Sequence, residues 1–517
     1  MAYLTKVLHM ELVEAANVQN LWKAFTNFAP LLGAIISDAH VGRFKTIAYA
    51  SFFSLLGLMT VTLTSGLHQL HPPPCNIDHP VSCDGPNRLQ LGVLLLGLGF
   101  LSIGSGGIRS CSIPFGVDQF DQRTEQGLKG MASYFNWYYL TFSIVLILAH
   151  TVIVYIQDNI GWFIGFSIPT GLMACAIVLF FAGMRLYVYV NPEGSVFSGI
   201  ARVIVAARKK RNIEFPVEND GTVEYYDPPV KPGVSSKLPL TNQFKFLDKA
   251  AMIAKGDLTS DGVQTNKWRL CSVQEVEEVK CLIRVVPVWS AVIISIVAMS
   301  THEAFTIPQA TIMDRHMGRH FEIPPGSVSV ITFITIGIWV PIYARVLVPS
   351  LWRIRKFRLT LLQRMGIGIV FAILSMFTAG FVESVRRTRA LESKQMSVFW
   401  LALQLILLGL SESFLFIGQI EFFNSQFPEH MRSIANSLFP LSFAASNYVS
   451  SLLVTTVHKF SDWLNNDINR GKLDYYFYLI AGLGLVNLVY FWYCAKSYQY
   501  KTGSQIEDLE QEKSLLD

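Results

Sequence analysis

The chain has 517 residues, of which 51% are hydrophobic, 13% aromatic and only 15% charged, with a mean hydropathy of +0.38. That is too oily for a soluble protein built round one core, and it points to the membrane. The net charge of +5, from 42 Lys+Arg against 37 Asp+Glu, is explained by basic loops facing anionic lipid, so no nucleic-acid partner is expected.

Residues 1–13 contain Lys6, His9 and Glu11 without an uninterrupted apolar core, so they do not read as a signal peptide. From there the apolar runs predict spans over 14–37, 43–68, 89–114, 131–156 and 161–187, then 279–306, 327–350, 364–385, 396–423, 433–458 and 473–496. Each is near the length of about 20 residues that crosses a hydrocarbon core. Backbone polar groups in such spans must be satisfied internally, so the expected fold class is an all-α membrane protein, a helical bundle. Five spans precede a charged interval and six follow it. The domain reading is an N-terminal bundle over 1–187, a cytosolic interval over 188–278, a C-terminal six-helix bundle over 279–498 and a cytosolic tail over 499–517.

Between the first two spans lies GAIISDAHVGRFKT, residues 33–46. Small Gly33 and Ala34 let helices approach closely, and Gly42 permits a tight turn. Asp38 and Arg43 place opposite charges at two helix ends, so Asp38, Gly42 and Arg43 read as a conformational latch. Further on, Cys75 and Cys83 sit in the polar loop HPPPCNIDHPVSCDG. The excess of Lys and Arg at Arg43, Lys45, Arg123, Lys129, 208–211 and 353–358 marks the other side as cytosolic. The cysteine loop then faces outward, where a disulfide would persist, and two unpaired thiols are the alternative. Arg386, Arg387, Arg389 and Lys394 run against this charge pattern.

Ionisable residues inside spans are the candidates for chemistry, since an unpaired charge there is costly. Arg109 follows the GSGG turn at 104–107, and its guanidinium suits an anion or a carboxylate partner. The GSGG itself reads as helix packing rather than phosphate binding. Glu412 lies in the middle of the apolar stretch GLSESFLFIGQIEFF, where a carboxyl could exchange a proton; a static ion pair with Arg109 or another base is the alternative. His302 and Glu303 form a third, weaker site near the outer end of the span over 279–306. In the interval over 188–278, TNQFKFLDKAAMIA has helical spacing of Phe244, Leu247, Ala250 and Ala251, with Thr241 as an N-cap. An amphipathic helix near 241–254 on the cytosolic membrane face is expected, or else a short helix packed on the transporter. The remaining cysteines lack ligand spacing, so no metal is assigned. Without a Walker loop, a Gly-x-Ser-x-Gly elbow or a His-Glu-x-x-His helix, the chain does not read as an enzyme, and no cofactor is implied.

The loop motif at 33–46 resembles the helix-2/3 signature of the major facilitator superfamily, in the longer form of its proton-dependent oligopeptide transporter branch. GSGGIRSCSIPFGVDQFD at 104–121, SYFNWYY at 133–139, CSVQEVEEVKCLIRVVPVW at 271–289, TLLQRMGIGIV at 360–370 and GQIEFFNSQFPEHMRSIANSLF at 418–439 resemble the plant nitrate/peptide transporter family. The similarity is greatest to its low-affinity nitrate transporter and glucosinolate carrier subgroup. This resemblance implies a two-bundle fold of which about eleven helices are present, the chain beginning where helix 1 would end. It also implies proton-coupled transport of nitrate by alternating access across the plasma membrane, with glucosinolates or other organic anions and glycosides as the alternative substrates. A transport-inactive sensor or partner protein is a further alternative.

By the same resemblance Arg109 and Glu412 take part in coupling and substrate binding, and Asn136 in hydrogen bonding to substrate. The family's nitrate-binding His falls one helical turn before His302, where this chain has Met299. In the motif after Asn136, Ser143 and Val145 replace the family's Asn and Gly. The helix-1 Glu-x-x-Glu-Arg/Lys motif is absent, which makes proton coupling conditional. Thr46 matches a threonine phosphorylated in one dual-affinity family member, implying a regulatory kinase; a plain N-cap is the alternative reading.

Overall fold

A computed structural model of the chain describes residues 1–498 and Tyr500, apart from 38–40, 74–84, most of 121–143, 190–195, 213–223, 229–239, 255, 260–263, 319–320, 348–358, 428–431 and 466. Among the described residues nine helices are long and apolar enough to cross a membrane. They match nine of the eleven predicted spans. The helix predicted over 14–37 forms as α2, Leu12–Ile36, but Glu14, Asn17, Gln19, Asn20, Lys23 and Asn27 leave it too polar to qualify by composition. Of the span predicted over 131–156, the continuous apolar helix in the described residues is Ile144–Asn159.

In chain order α2 follows a short α1 (Ala2–Lys6) and precedes α3 (Arg43–Gly66), α4 (Arg88–Val117), α5 (Val154–Asn159) and α6 (Trp162–Ala182). Then come α7 (Val196–Lys209), α8 (Lys245–Asp248), α9 (Val273–Thr311), α10 (Val330–Ile342), α11 (Leu361–Leu391), α12 (Leu401–Gln426), α13 (Arg432–Phe460) and α14 (Leu473–Ser497). A small hairpin pairs β1 (His316–Met317) with β2 (Phe321–Glu322). Local chemistry sets several boundaries. Asn87 and Gln90 form a reciprocal capping box at the start of α4, as Thr360 and Gln363 do for α11, and each satisfies orphan donors of the first turn. Gly42 precedes α3 at a φ of 83°, a left-handed value that a side chain resists.

Contacts divide the chain into two compact units, one of residues 1–192, 291–418 and 440–490, the other of 193–290, 419–439 and 491–517. In the first, α2, α3 and α4 approach through small residues. A Cβ on Gly33 would stand 2.4 Å from the Gly106 carbonyl oxygen, and one on Gly106 would stand 2.9 Å from Ala29. The GSGG segment lies inside α4 and serves helix packing, as its position within an apolar run implied. One core cluster joins Leu12, Val13 and Ala16 of α2 to Phe305 of α9, Met376 of α11, Val454 of α13 and Phe477 of α14.

The first unit also explains the basic residues that ran against the charge pattern. Arg386 donates to both Glu383 oxygens at 2.8 Å, with the two side chains 3% and 0% exposed. Arg387 pairs with Asp474 at 2.9 Å, and Lys394 with Glu392 at 3.0 Å. Arg386 and Arg387 are thus tied into the fold by carboxylates that are themselves buried, whereas Lys394 and Glu392 form an exposed surface pair.

The second unit corrects the reading of 241–254. Only Lys245–Asp248 is helical, because Phe244 takes a left-handed φ of 52° and cannot continue a helix. Leu247, Ala250 and Ala251 are buried against Val203 and Ala206 of α7 and Val276 and Val279 of α9. The apolar spacing thus serves a core. Thr241 is not an N-cap, since its N–H and hydroxyl both donate to the Glu277 carboxylate. Lys280, fully buried, bonds Asp248 and Glu277 at 2.7 Å each and the Thr241 carbonyl at 2.8 Å. Burial pushes the Asp248 carboxyl above its ordinary range against the pull of Lys280. Burial likewise pushes the Cys271 thiol up to about 12, with Glu275 acting in the same direction.

Candidate functional site

Two helices of the first unit carry matching polar stripes. Gln19, Trp22 and Lys23 on α2 have the i, i+3, i+4 spacing that puts three side chains on one helix face, and on α9 Thr306 lies four and three residues beyond the adjacent His302 and Glu303. All six line a cavity of about 570 Å³, which also takes in Glu412 of α12. The rest of the wall is mostly apolar, with Leu58, Leu94, Trp162, Phe166, Met299 and Phe333 among the lining residues. A volume of this order suits an organic molecule far larger than a three-oxygen ion.

The ionised groups of the wall are unevenly matched. Lys23 Nζ forms an ion pair with the Glu303 carboxylate, and Asp158, also on the wall, pairs with Lys6 at 2.6 Å. Glu412 is 6% exposed and close enough to Glu303 for the two charges to interact. Among the described residues, no cation or hydrogen-bond donor reaches its carboxylate. Burial and Lys23 together push the Met1 amino group, which also lines the wall, down to about 5, so one side-chain ammonium faces two carboxylates once the Lys6–Asp158 pair is set aside.

His302 is held in a defined orientation. The Ser375 hydroxyl donates to the Gln404 carbonyl at 2.8 Å, so its oxygen is left to accept from His302 Nε2–H, also at 2.8 Å. The ring lies over Phe477, with centroids 6.3 Å apart. His302 is 2% exposed, and its Nδ1 has no hydrogen-bond partner. Gln19 Oε1, Trp22 Nε1 and Thr306 Oγ1 on the same wall are also buried without partners.

Polar contacts join the first and second halves of the chain beside this cavity. Asn17 donates to Thr455 at 3.0 Å and accepts from Ser451 at 2.7 Å, while Asn20 donates to Ser450 at 3.2 Å, linking α2 to α13. The π-helical segment Ala149–Ile153, which leads into α5, accepts a bond from Ser327 at the His150 carbonyl, 3.0 Å, and the His150 ring sits on Phe333 at 4.8 Å. Hydrogen bonds of this kind are individually modest, so such seams can open.

The predicted site residues separate into groups. Glu412 and His302 come together on the cavity, and His302 reaches it without Met299 leaving the wall. Arg109 does not line the cavity; it is exposed on α4 and donates to Asn27 at 3.3 Å. Among the described residues it pairs with no carboxylate. Asn136, Asp38, Cys75 and Cys83 lie outside the described residues. Arg43 Nη1 meets both Asp118 oxygens, at 2.5 and 2.6 Å, so Asp118 belongs to the charge arrangement at the start of α3. Thr46 is 8% exposed, and its hydroxyl donates to the Gly42 carbonyl at 2.9 Å. Among the described residues, no cluster of His, Cys, Asp and Glu could hold a metal. Sequence reasoning passed over Lys23, although an ionisable residue within a predicted span was itself the signal.

Comparison with known proteins agrees with this architecture. The POT family profile matches residues 44–469. The chain is 77% identical over 523 residues to Protein NRT1/PTR FAMILY 2.12 of Arabidopsis thaliana, covering all of this chain and 91% of that one. It is 66% identical over 531 residues to Protein NRT1/PTR FAMILY 2.13 of the same plant, covering all of this chain and 86% of that one. Among solved structures, the POT family transporter PepTSo superposes with a TM-score of 0.68 at 21% identity, over 94% of this chain and 90% of that one. An auto-inhibited POT family peptide transporter gives 0.67 at 19% identity, over 94% and 89%. At such identities the structural likeness speaks to fold alone.

Proposed function

The chain belongs to the POT family and is a multi-pass membrane transporter rather than an enzyme, and from this premise we propose that it is a proton-coupled carrier of organic anions. The observation that carries the reading is the unpartnered, buried Glu412 on the same cavity as the Lys23–Glu303 pair. With Glu303 and Glu412 ionised, the histidines and the Met1 amino group neutral and Asp158 balanced by Lys6, the wall has a net charge of minus one and repels an anion. Protons on both carboxyls reverse that sign and release Lys23 to bind the anion. Substrate and proton then stabilise each other in the cavity, which is the thermodynamic condition for symport. Rocking of the two halves about this site would complete alternating access. The proposed location is the plasma membrane.

The mostly apolar wall and the volume of about 570 Å³ favour an organic anion, a glycoside conjugate among them, over the nitrate that the sequence put first. Nitrate remains a second reading, because Lys23 supplies a compact cation that could hold it without filling the cavity. Oocytes expressing the full chain would be given labelled p-nitrophenyl β-D-glucuronide or labelled nitrate at acidic and neutral external pH. The proposal expects acid-stimulated uptake of the glucuronide. Acid-stimulated uptake of nitrate alone would select the second reading, and no uptake of either would favour a sensor or partner protein.

A further inference from the structure

Cations of the second unit converge at the end of α7. Lys210, just past the last residue of that helix, is buried and gives its ammonium to Asp257 Oδ2 at 2.7 Å and to the Met252 carbonyl at 2.6 Å. Arg269 Nε takes the other oxygen of the same carboxylate at 2.9 Å, and Lys249 Nζ donates to the Arg211 carbonyl at 2.9 Å. Asp257, with 0% of its side chain exposed, therefore fixes the arrangement but can neutralise only one of the two charges it binds. Arg208, Lys209 and Arg211 are exposed, and among the described residues none of the three pairs with a carboxylate. A positive surplus is left on a surface held in place by buried bonds, and such a surface attracts an anionic chain.

The same unit holds the chain that follows α14. Past Tyr500 the sequence KTGSQIEDLEQEKSLLD, residues 501–517, carries Glu507, Asp508, Glu510, Glu512 and Asp517 against Lys501 and Lys513. Its point of departure lies near α9, since Tyr498 donates to Gln426 at 3.1 Å and is close enough to Cys281 and Arg284 for their charges to act on its hydroxyl. From Arg284 back to Val273 the helix rises about 16 Å, and the Cys271 N–H just before it bonds the carbonyl of Ala250, the neighbour of Lys249. An extended chain spans about 3.3–3.6 Å per residue, so Glu512 can reach up to about 40 Å from Tyr500. We infer that the acidic segment 507–512 docks on the basic surface formed by Arg208, Lys209, Arg211 and Arg269, an intramolecular contact that ties the chain after α14 to the interval between α7 and α9. Glu214, Glu218 and Asp220, which follow Arg211 in the sequence, are the competing occupant.

The test is zero-length cross-linking of the full chain in detergent with a carbodiimide, which joins a carboxylate to a lysine amine in direct contact, followed by mass spectrometry. An equal mixture of isotopically light and heavy chains separates contacts within one chain from contacts between copies. The expected product joins Lys209 to Glu507, Asp508, Glu510 or Glu512 of the same chain. Arg208→Gln combined with Arg211→Gln leaves Lys209 and the buried Lys210–Asp257 pair in place and should lower the yield of that product at least about twofold. Sodium chloride at about 0.5 M, where the screening length falls to about 4 Å, should lower it as well. Absence of any link from Lys209 to 507–512, or links from it to Glu214, Glu218 or Asp220 in their stead, would overturn the inference. Links found only between light and heavy chains would overturn it too, by assigning the segment to a second copy. So would a yield unmoved by the double variant or by salt, since that would show proximity without attraction between charges.

Discussion

Lys23 on α2 and Glu303 on α9 are 280 residues apart in the chain and form an ion pair on the wall of one cavity. Their side chains are 27% and 37% exposed, so the pair contributes only about 0.2–1 kcal/mol to stability. Its weight should fall on transport instead. Glu303→Gln is expected to leave the melting temperature in detergent nearly unchanged while reducing the acid stimulation of uptake about fivefold or more. Lys23→Gln should depress uptake at every pH, and Lys23→Arg should retain it. A large loss of melting temperature with normal acid stimulation would assign the pair to the fold.

Glu383 and Arg386 behave differently because they are almost wholly buried. Removing one partner leaves an uncompensated charge, and Glu383→Gln should destabilise the protein by about 3–5 kcal/mol. Replacing both with Met should recover much of that loss. Thermal unfolding of the detergent-solubilised protein, followed by size-exclusion chromatography, measures both.

The crossing of α2 and α4 should be equally intolerant of added volume. At Gly33 a methyl group would meet the Gly106 carbonyl oxygen at 2.4 Å, a backbone atom that cannot swing aside. Gly33→Ala is therefore expected to cost about 1–3 kcal/mol. Gly99, where a Cβ meets nothing within 4 Å, is the control position.

Most of the fold was legible because a bilayer imposes a length on every apolar segment, and nine predicted spans recur as helices long and apolar enough to cross it, with the span over 14–37 recurring as the more polar α2. Gly33, Gly42 and the GSGG turn were legible too, since small residues in spans and turns have few other uses. Charge was harder to read. Arg386 and Arg387 ran against the charge pattern because their partners Glu383 and Asp474 are visible only when the helices are packed. The 241–254 stretch has helical spacing, yet a left-handed Phe244 and the buried Lys280 cluster override it. At the site, Glu412 and His302 were found as polar residues in apolar runs. Lys23 was hidden by the polar character of α2, and the orientation of His302 depended on Ser375 and Gln404, which no spacing connects to it.

Cys271 provides a pH-dependent check on the second unit. Its thiol titrates at about 12 rather than at the ordinary 9.0, so the folded state favours the protonated thiol. That contribution to stability is complete below pH 9.0 and is lost as the pH rises toward 12. Mass spectrometry after iodoacetamide treatment should find Cys271 unmodified in the folded protein at mildly alkaline pH and modified once the protein is denatured. Equal modification before and after denaturation would show that the core around Val203 and Leu247 is open.

The central claim is that Glu412 couples proton entry to substrate movement through this cavity. Proteoliposomes loaded with a pH-sensitive dye report both fluxes at once, with p-nitrophenyl β-D-glucuronide as the substrate and Glu412→Gln as the variant. The account predicts that substrate acidifies the lumen of vesicles containing the unaltered protein, and that Glu412→Gln lowers the acidification per substrate transported while preserving exchange of labelled for unlabelled substrate. Uptake without acidification in the unaltered protein, or acidification per substrate undiminished in Glu412→Gln, would contradict it.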